Sequence, residues 1–260
     1  QSALDVAVCG KALLQAAFSG KTAVADLAAF RGRICFTLLG DLPRLKNLIL
    51  PLADQFQPGE YVIAGCVPAL DGLAADRSYI PVYRYWRDGS WEALVRFARL
   101  WPKASRAIHR ALIRYGFSRH LLVHLGRSLL KQILRLEQAR RLLRELRPTC
   151  LIADYDRNAH CACLVLAARE AGIPTATMGH GIVNPDYGYT PLLADVAFCW
   201  GEQHRQRLME GGVAPERLVV VGNPRMQETI PSREDARRRM GIAGGRPVIL
   251  FASQPIGEKE

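Results

Sequence analysis

The sequence predicts an α/β protein built on a doubly wound parallel sheet, and two observations predict it. Short apolar runs of strand length alternate along the chain with segments of helical periodicity, and crossover helices of this kind join parallel strands. The runs are apolar at nearly every position, which is typical of strands buried on both faces. Hydrophobic residues make up 49% of the chain, enough for a core. No uncharged apolar run of the sequence reaches the roughly 18 residues that cross a bilayer.

The first half of the chain begins with an Ala- and Leu-rich stretch, and we expect residues 1–30 to form a helical segment. The run "RICFTLLG" at 33–40 is expected to be a buried strand that leads into a helix. Two more strands are expected at 60–65 and 78–84. A long helical tract is expected after Pro102, because apolar residues recur there at helical spacing. Its apolar stripe consists of Leu122, Leu125, Leu129, Ile133, Leu136, Leu143 and Leu146.

After Pro148 the alternation resumes at tighter spacing. The expected strands are "TCLIAD", "IPTATM", "DVAFCWG" and "RLVVVGN", separated by helices, the first of which ends at Gly172. A polar helical connector follows at 231–245, and "RPVILFAS" then begins a new strand. Both ends of the chain look cut, so we expect it to be a piece of a longer protein. We divide it into a helical segment (1–30), an α/β domain (31–230), and a linker with the first strand of a truncated second domain (231–260).

The net charge of +11 is concentrated in one quarter of the chain. Residues 84–147 carry 16 Lys and Arg against four Asp and Glu, whereas the rest of the chain carries 19 against 20. We treat this range as a basic helical insertion in the α/β domain, with an anionic membrane surface as its expected partner.

The alternative interpretation of this insertion is a nucleic-acid-binding module, in which aromatic side chains would stack on bases. The aromatic residues available are Trp86, Trp91, Phe97 and Trp101. However, the apolar stripe indicates that most of the helix packs on a core, and the sequence contains no nucleic-acid-binding motif. We therefore expect no nucleic-acid partner.

The seven cysteines include no CxxC pair. Cys161 and Cys163 lie two residues apart on an expected helix, where their side chains point to different faces. With His160 they could form a metal site, but buried thiols in a reducing cytosol are the favoured interpretation. We expect no metal and no cofactor.

In sheets of this kind, ligands bind beyond the carboxyl ends of the strands. That rule selects five stretches, each after an expected strand: Gly40-Asp41, Asp154 to Arg157, Gly179-His180-Gly181, Gly201-Glu202 and Gly222 to Arg225. The two glycines beside His180 leave room for a ligand and permit backbone angles that other residues resist. The imidazole of His180 titrates near neutral pH and could take a proton from a substrate hydroxyl. A turn histidine bonded to a neighbouring loop is the alternative.

Asp154 is the second candidate for catalysis, because its side chain could approach His180 if their strands were neighbours. Asp156 or Asn158 is expected to cap the following helix, so one polar residue there is structural. Arg157, in the first turn, could bind an anion at the amino end of that helix, and a surface arginine is the alternative.

Two phosphate-binding motifs are excluded. The run "SGKT" at 19–22 resembles the end of a P-loop, but Gln15 stands where that motif needs glycine, and no strand precedes it. No G-x-G-x-x-G follows the first expected strand. ATP hydrolysis and a dinucleotide fingerprint are both unsupported.

Four motifs follow one another between residues 148 and 256. They are Gly179-His180-Gly181, Tyr189 to Asp195, Trp200-Gly201, and Gly212 to Pro224. In this order they resemble the "QHG" or "WHG" element, the "Y-x-P-x-x-A-D" stretch, the strand ending "WG" and the closing "GV-x-x-x-R-[IL]-x-V-x-G-N-P" of GT-B glycosyltransferases. The similarity is greatest to bacterial enzymes of surface polysaccharides and wall polymers, including relatives of CDP-glycerol glycerophosphotransferases. The first 147 residues match only as Rossmann-like architecture, and Gly179 departs from the large side chain usual in relatives.

The resemblance implies transfer of a glycosyl or polyol-phosphate group from a nucleotide-activated donor to a glycan or lipid-linked acceptor. The acceptor would bind the α/β domain at 31–230, with His180 as general base or as a donor-phosphate contact. The implied substrate-binding residues are Gly40, Asp41, Arg157, Gly179 and Gly181, and the implied donor-binding residues are Asn223, Arg225, Ser253 and Gln254.

The resemblance also implies a cytoplasmic enzyme, peripheral at the inner face of the membrane. No metal would be required, because the positive end of a helix and basic side chains can stabilise the leaving phosphate. Residues 1–260 alone are expected to be inactive, because the donor would bind mainly to the second domain. Non-hydrolysing UDP-N-acetylglucosamine 2-epimerases share the fold and are the alternative. They carry an "HVEAG" element here, and since no glutamate stands beside His180, we favour transfer.

Overall fold

Seven parallel strands form one sheet in the order β3-β2-β1-β4-β5-β6-β7. The structure is a computed structural model that describes residues 27–39, 43–82, 91–118, 120–179, 190–224 and 232–242, together with 181, 247 and 249. The strands are β1 (Ile34–Leu38), β2 (Tyr61–Gly65), β3 (Tyr79–Pro81), β4 (Cys150–Ala153), β5 (Thr175–Met178), β6 (Val196–Cys199) and β7 (Leu218–Val220). This order and direction confirm the predicted doubly wound, Rossmann-like sheet.

The strands in the interior of the sheet form where the sequence is continuously apolar, because both of their faces are covered. In β2 every residue is buried, and its alternate side chains enter two different hydrophobic clusters. Val62 and Ala64 belong to the larger cluster, whereas Tyr61 and Ile63 belong to the other. A two-sided core therefore explains why no polar residue interrupts this run.

The helices are α1 (Pro43–Ala53), α2 (Trp91–Arg114), α3 (His120–Leu146), α4 (Ala159–Glu170), α5 (Glu202–Glu210) and α6 (Arg233–Arg239). Local sequence sets the ends of α4. Asn158 is its N-cap, since the side-chain oxygen accepts a hydrogen bond from the amide of His160 at 2.9 Å. Gly172, with a φ of 70°, follows its last turn, as the sequence predicted.

The helical tract predicted to follow Pro102 is instead two helices, and the first begins earlier, at Trp91. Pro102 lies inside α2, where a proline removes a backbone hydrogen bond. Packing offsets this loss, because Trp101 stacks on Phe97 at 5.4 Å between ring centres and covers Gly126 of α3. Gly116, with a φ of 69°, ends α2.

The predicted apolar stripe holds only in the second half of α3. Leu143 and Leu146 enter the larger core cluster, whereas Leu125 is 36% exposed. The prediction was wrong at Leu125 because helical periodicity does not reveal how far a helix extends beyond the sheet it covers.

The chain divides into two compact units, Gln1–Arg225 and Met226–Glu260. The described part of the second unit includes α6, whose N-cap Ser232 accepts a hydrogen bond from the amide of Asp235 at 3.1 Å. Most of the expected strand "RPVILFAS" and residues 1–26 lie outside the described residues. No helix in the described part of the chain combines the length and hydropathy of a membrane span.

Candidate functional site

The sheet reverses its winding between β1 and β4, and Asp154 follows β4 at that point. The carboxylate of Asp154 is completely buried and joins the two strands. One oxygen accepts the amide of Leu39 at 2.7 Å, and the other faces the Thr37 hydroxyl and the Cys161 thiol, both at 3.3 Å. These bonds fix the backbone where the loop after β1 begins, which is where ligands bind in such folds.

Burial raises the pKa of Asp154 to about 6, because the ionised carboxylate is removed from water. Four hydrogen-bond donors, including the amide of Leu39, oppose this rise. A carboxylate without exposed surface can position the β1 loop without touching a substrate. Its predicted catalytic role stays a prediction, and so do the substrate contacts of Gly40 and Asp41, which lie outside the described residues.

Asp156 is a second buried carboxylate and holds the chain between β5 and β6. Its Oδ2 accepts the amides of Leu193 at 2.7 Å and Ala194 at 3.0 Å. Its own amide donates to the Thr177 hydroxyl at 3.2 Å. Desolvation raises the pKa of Asp156, and the two amides lower it. Since Asn158 caps α4, the structural role of Asp156 is to clamp a loop.

The segment 190–195, held by Asp156, leads into β6 and contains no regular helix. Arg217 donates to three of its carbonyl oxygens at 2.5–3.1 Å, those of Leu192, Ala194 and Asp195. At the start of β5 the Thr175 hydroxyl and amide both donate to Asp195, at 2.7 and 3.0 Å. Three side chains therefore hold this segment in place: Asp156 after β4, Thr175 at the start of β5 and Arg217 before β7.

Arg157 takes part in the same fastening. Its guanidinium donates to the carbonyl oxygen of Pro191 at 3.2 Å. The side chain remains exposed, so this bond leaves most of its donors in solvent. An anion contact by Arg157 stays a prediction.

Gly179 ends β5 and directly precedes His180. Its amide donates to the carbonyl of Phe198 at 3.2 Å, which continues the pairing of β5 with β6 by one residue. A methyl group on Gly179 would overlap the ring of His204, whose Nδ1 and Nε2 would lie 2.9 and 3.2 Å from it. The imidazole of His204 thus occupies the space that a larger side chain at position 179 would need.

His204 is a site residue that sequence reasoning missed. Its Nδ1 accepts the amide of Trp200 at 3.3 Å, and its ring meets the Trp200 indole edge-on at 6.1 Å. Burial lowers the pKa of His204, so the neutral form with the proton on Nε2 is favoured. A histidine in the first turn after "WG", together with the unusual Gly179, was the signal that could have found it.

A small cavity of about 10 Å³, enough for one water molecule, lies beside this ring. Its lining includes Tyr155, Thr177, Gly179 and His204. His180 and Arg225 lie outside the described residues, as do Ser253 and Gln254. Gly181 is half-buried, and Asn223 follows Gly222, whose φ is 86°.

The two thiols of α4 contact different neighbours, as their spacing predicted. Cys161 faces Asp154, whereas Cys163 lies 3.6 Å from the carbonyl oxygen of Gln132. Burial, followed by the charge of Arg135, lowers the pKa of His160 to about 4. Among the described residues, no group of three His, Cys, Asp or Glu side chains could hold a metal ion.

No family model matches the chain, and no curated protein matches it in sequence. Several solved structures align with part of the chain. The UDP-N-acetylglucosamine 2-epimerase from Rickettsia bellii aligns with 81% of this chain and 48% of its own, at 13% identity and a TM-score of 0.43. The UDP-GlcNAc 2-epimerase from Neisseria meningitidis, bound to UDP-GlcNAc, aligns with 75% and 47%, at 11% identity and a TM-score of 0.41.

The lipopolysaccharide outer core galactosyltransferase WaaB, in its apo form, aligns with 78% of this chain and 50% of its own. Its identity is 13% and its TM-score 0.47. The chain spans about half the length of each of these proteins.

Proposed function

We propose that this chain is the acceptor-binding half of a GT-B transferase. The enzyme would move a glycosyl or polyol-phosphate group from a nucleotide-activated donor to a surface-polysaccharide or lipid-linked acceptor. One observation carries the proposal. The described residues that resemble the family, in segment 190–195 and at Arg217, form one hydrogen-bonded unit with Asp156. The resemblance therefore corresponds to a physical unit of the fold, and Asp156 connects this unit to the loop after β4, on the edge of the sheet where ligands bind.

His180 is proposed as the general base. The acceptor oxygen would form a bond to the anomeric carbon, or to the phosphorus of a polyol phosphate, while the bond to the leaving nucleotide breaks. The hydroxyl proton would pass to the imidazole, since histidine is the side chain that most often acts as a general base. A contact with the donor phosphate is the other role open to this side chain.

The donor is proposed to bind mainly to a second domain. Within residues 1–260, the donor contacts would be Asn223, Arg225, Ser253 and Gln254. The basic insertion at 84–147 would bring the enzyme to an anionic membrane face, where a lipid-linked acceptor lies.

The test is the His180→Ala variant of the complete gene product, assayed with labelled donor and acceptor. We expect transfer to fall about 100-fold or more, the scale of a lost acid–base group, with unchanged thermal unfolding. Met209→Ala on α5, outside the basic insertion and 40% exposed, serves as the control and should keep the wild-type rate. A folded His180→Ala enzyme with a near-normal rate would remove His180 from the mechanism.

Calorimetry with CDP, UDP, GDP and CMP locates the donor site. We expect micromolar binding to the complete gene product and none to residues 1–260 alone. Micromolar binding by residues 1–260 would contradict the division of labour between two domains. Turnover of UDP-N-acetylglucosamine without an acceptor would instead favour the epimerase alternative.

A further inference from the structure

Helices α2 and α3 form an antiparallel hairpin that extends beyond the carboxyl edge of the sheet. Cys163 lies beside Gln132, and Arg140 contacts Glu170 at 2.6 Å, so α3 runs parallel to α4. Equal rise along both helices places the start of α4 level with about residue 128 of α3. The first eight or so residues of α3 therefore project about 12 Å past that level. Because α4 begins at the carboxyl edge, the hairpin tip projects on the side of the candidate site.

The projecting end exposes large apolar side chains. We call residues 110–118 and 120–127 the hairpin tip. Within it, five apolar or aromatic residues are at least 36% exposed: Ile113, Tyr115, Phe117, Leu121 and Leu125. Single exposed apolar residues are common, whereas a group of this size at one end of a hairpin marks an interaction surface.

The same region is basic without any acid. Residues 93–136 contain ten Lys and Arg and no Asp or Glu. Five of these basic residues recur at spacings of three and four along one exposed face of α2, namely Arg99, Lys103, Arg106, Arg110 and Arg114. The described acids that pair with the hairpin lie at its other end, where Glu137 binds Arg96 at 2.8 Å and Glu92 binds Arg141 at 2.6 Å.

We infer that the hairpin tip docks into an anionic lipid bilayer. Exposed apolar side chains would enter the region between headgroups and acyl chains, and the arginines next to them would face lipid phosphates. A bilayer is the partner that fits both the exposed apolar side chains and the arginines of the hairpin tip. A solvated polyanion would contact the arginines but leave Ile113 and Phe117 in water, whereas a bilayer accepts both.

Docking in this way would turn the carboxyl edge of the sheet towards the bilayer. This orientation rests on the proposed function, since it presents the acceptor site to a lipid-linked substrate. A nucleic-acid partner is less favoured by the contacts, because Trp101 and Phe97 stack on each other and Trp101 packs on Gly126 inside the hairpin.

The experiment is co-sedimentation of the protein with vesicles of phosphatidylcholine containing about 30% phosphatidylglycerol or none, a content that gives the surface a negative potential. We expect binding that depends on phosphatidylglycerol and weakens as salt rises. The double variant Ile113→Ser/Phe117→Ser should bind at least tenfold more weakly, and so should Arg106→Gln/Arg110→Gln/Arg114→Gln. Met209→Ser is the matched control, because Met209 is 40% exposed on α5 and should not affect binding.

Insertion is measured separately with Phe117→Trp. Its added fluorescence should shift to the blue on binding and be quenched by brominated acyl chains. Unchanged vesicle binding by the double serine variant would overturn the inference, as would added fluorescence of Phe117→Trp that brominated chains do not quench. So would equal affinity for double-stranded DNA, or a dimer in solution that the serine variant dissociates. The two proposals can fail separately. Vesicle binding needs no donor, so it would still be observed if the protein showed no transfer. Transfer to a soluble acceptor would still be observed if the protein did not bind vesicles.

Discussion

The carboxyl edge of the sheet and the hairpin tip use charge in opposite ways. At the edge, Asp154 and Asp156 are 0% and 3% exposed and accept backbone amides from neighbouring loops. At the tip, Arg110 and Arg114 are exposed, and neither forms a salt bridge with an acid among the described residues. A buried carboxylate is costly unless it is hydrogen-bonded, so it persists where it satisfies donors that irregular loops leave open. The buried carboxylates at the edge therefore stabilise the loops of the protein itself, whereas the exposed arginines at the tip are available to a partner.

The largest effect is expected at Asp156. Asp156→Ala would leave the buried amides of Leu193 and Ala194 without their acceptor, at roughly 1–3 kcal/mol each. We expect the free energy of unfolding in urea to fall by about 4 kcal/mol. Phe117→Ser at the tip is the matched comparison, because its side chain is 60% exposed and its loss should cost less than about 0.5 kcal/mol. Similar losses of unfolding free energy in Asp156→Ala and Phe117→Ser would contradict the proposed difference between edge and tip.

The second effect is a pH dependence at Asp154. Burial raises the pKa of the folded state to about 6, above the unfolded value of 3.8. The folded protein therefore binds the proton more tightly, and the stability that Asp154 contributes is present below about pH 4 and lost as pH rises through about 6. Asp154→Asn cannot titrate, so the stability of the wild type relative to this variant should fall by about 2–3 kcal/mol between about pH 4 and 7. Urea titrations of both proteins across this range are the measurement, and a flat difference would contradict the assignment.

Much of the fold was predictable because it is encoded locally. Continuous apolar runs predicted β1, β2 and β4 to β7. In the interior of the sheet this follows because a strand covered on both faces can hold few polar residues, whereas the edge strand β7 keeps Val219 and Val220 44% and 41% exposed. The early start of α2 was missed, because only tertiary packing around Trp101 explains a helix that continues through Pro102. The break between α2 and α3 was missed because the left-handed conformation of Gly116 was not anticipated. The exposure of Leu125 was missed for a related reason, since the spacing of apolar residues in α3 does not indicate how far the helix extends beyond the sheet.

The sequence predicted which edge of the sheet carries the candidate site, but not the contacts that its residues make. The rule of carboxyl ends selected Asp154 and Gly179 correctly as residues of that edge. Whether a carboxylate there faces a ligand or a neighbouring amide depends on which loop packs against it. The sequence does not show this for Asp156, because segment 190–195 lies 34 or more residues away along the chain. His204 was missed because its importance arises from the absence of a side chain at Gly179.

The smallest of these effects is expected at Gly179, and it tests whether the edge is as closely packed as its carboxylates suggest. In Gly179→Ala the new methyl group would overlap the imidazole of His204, which Trp200 holds in place through its amide. Overpacking of this kind costs about 1–3 kcal/mol, and we expect a value of about 2 kcal/mol in urea. Gly59→Ala is the matched control, because a methyl group there would meet nothing within 4 Å.

The double variant Gly179→Ala/His204→Ala separates packing from backbone strain. Removing the imidazole makes room for the methyl group, so adding Gly179→Ala to the His204→Ala background should cost less than about 0.5 kcal/mol. Such a coupling of about 1 kcal/mol or more is what a double-mutant cycle reports for side chains in contact. If Gly179→Ala were equally harmful with and without His204, the glycine would be needed for its own backbone instead. The backbone conformation of Gly179, and not its contact with His204, would then explain why a glycine is needed at this position.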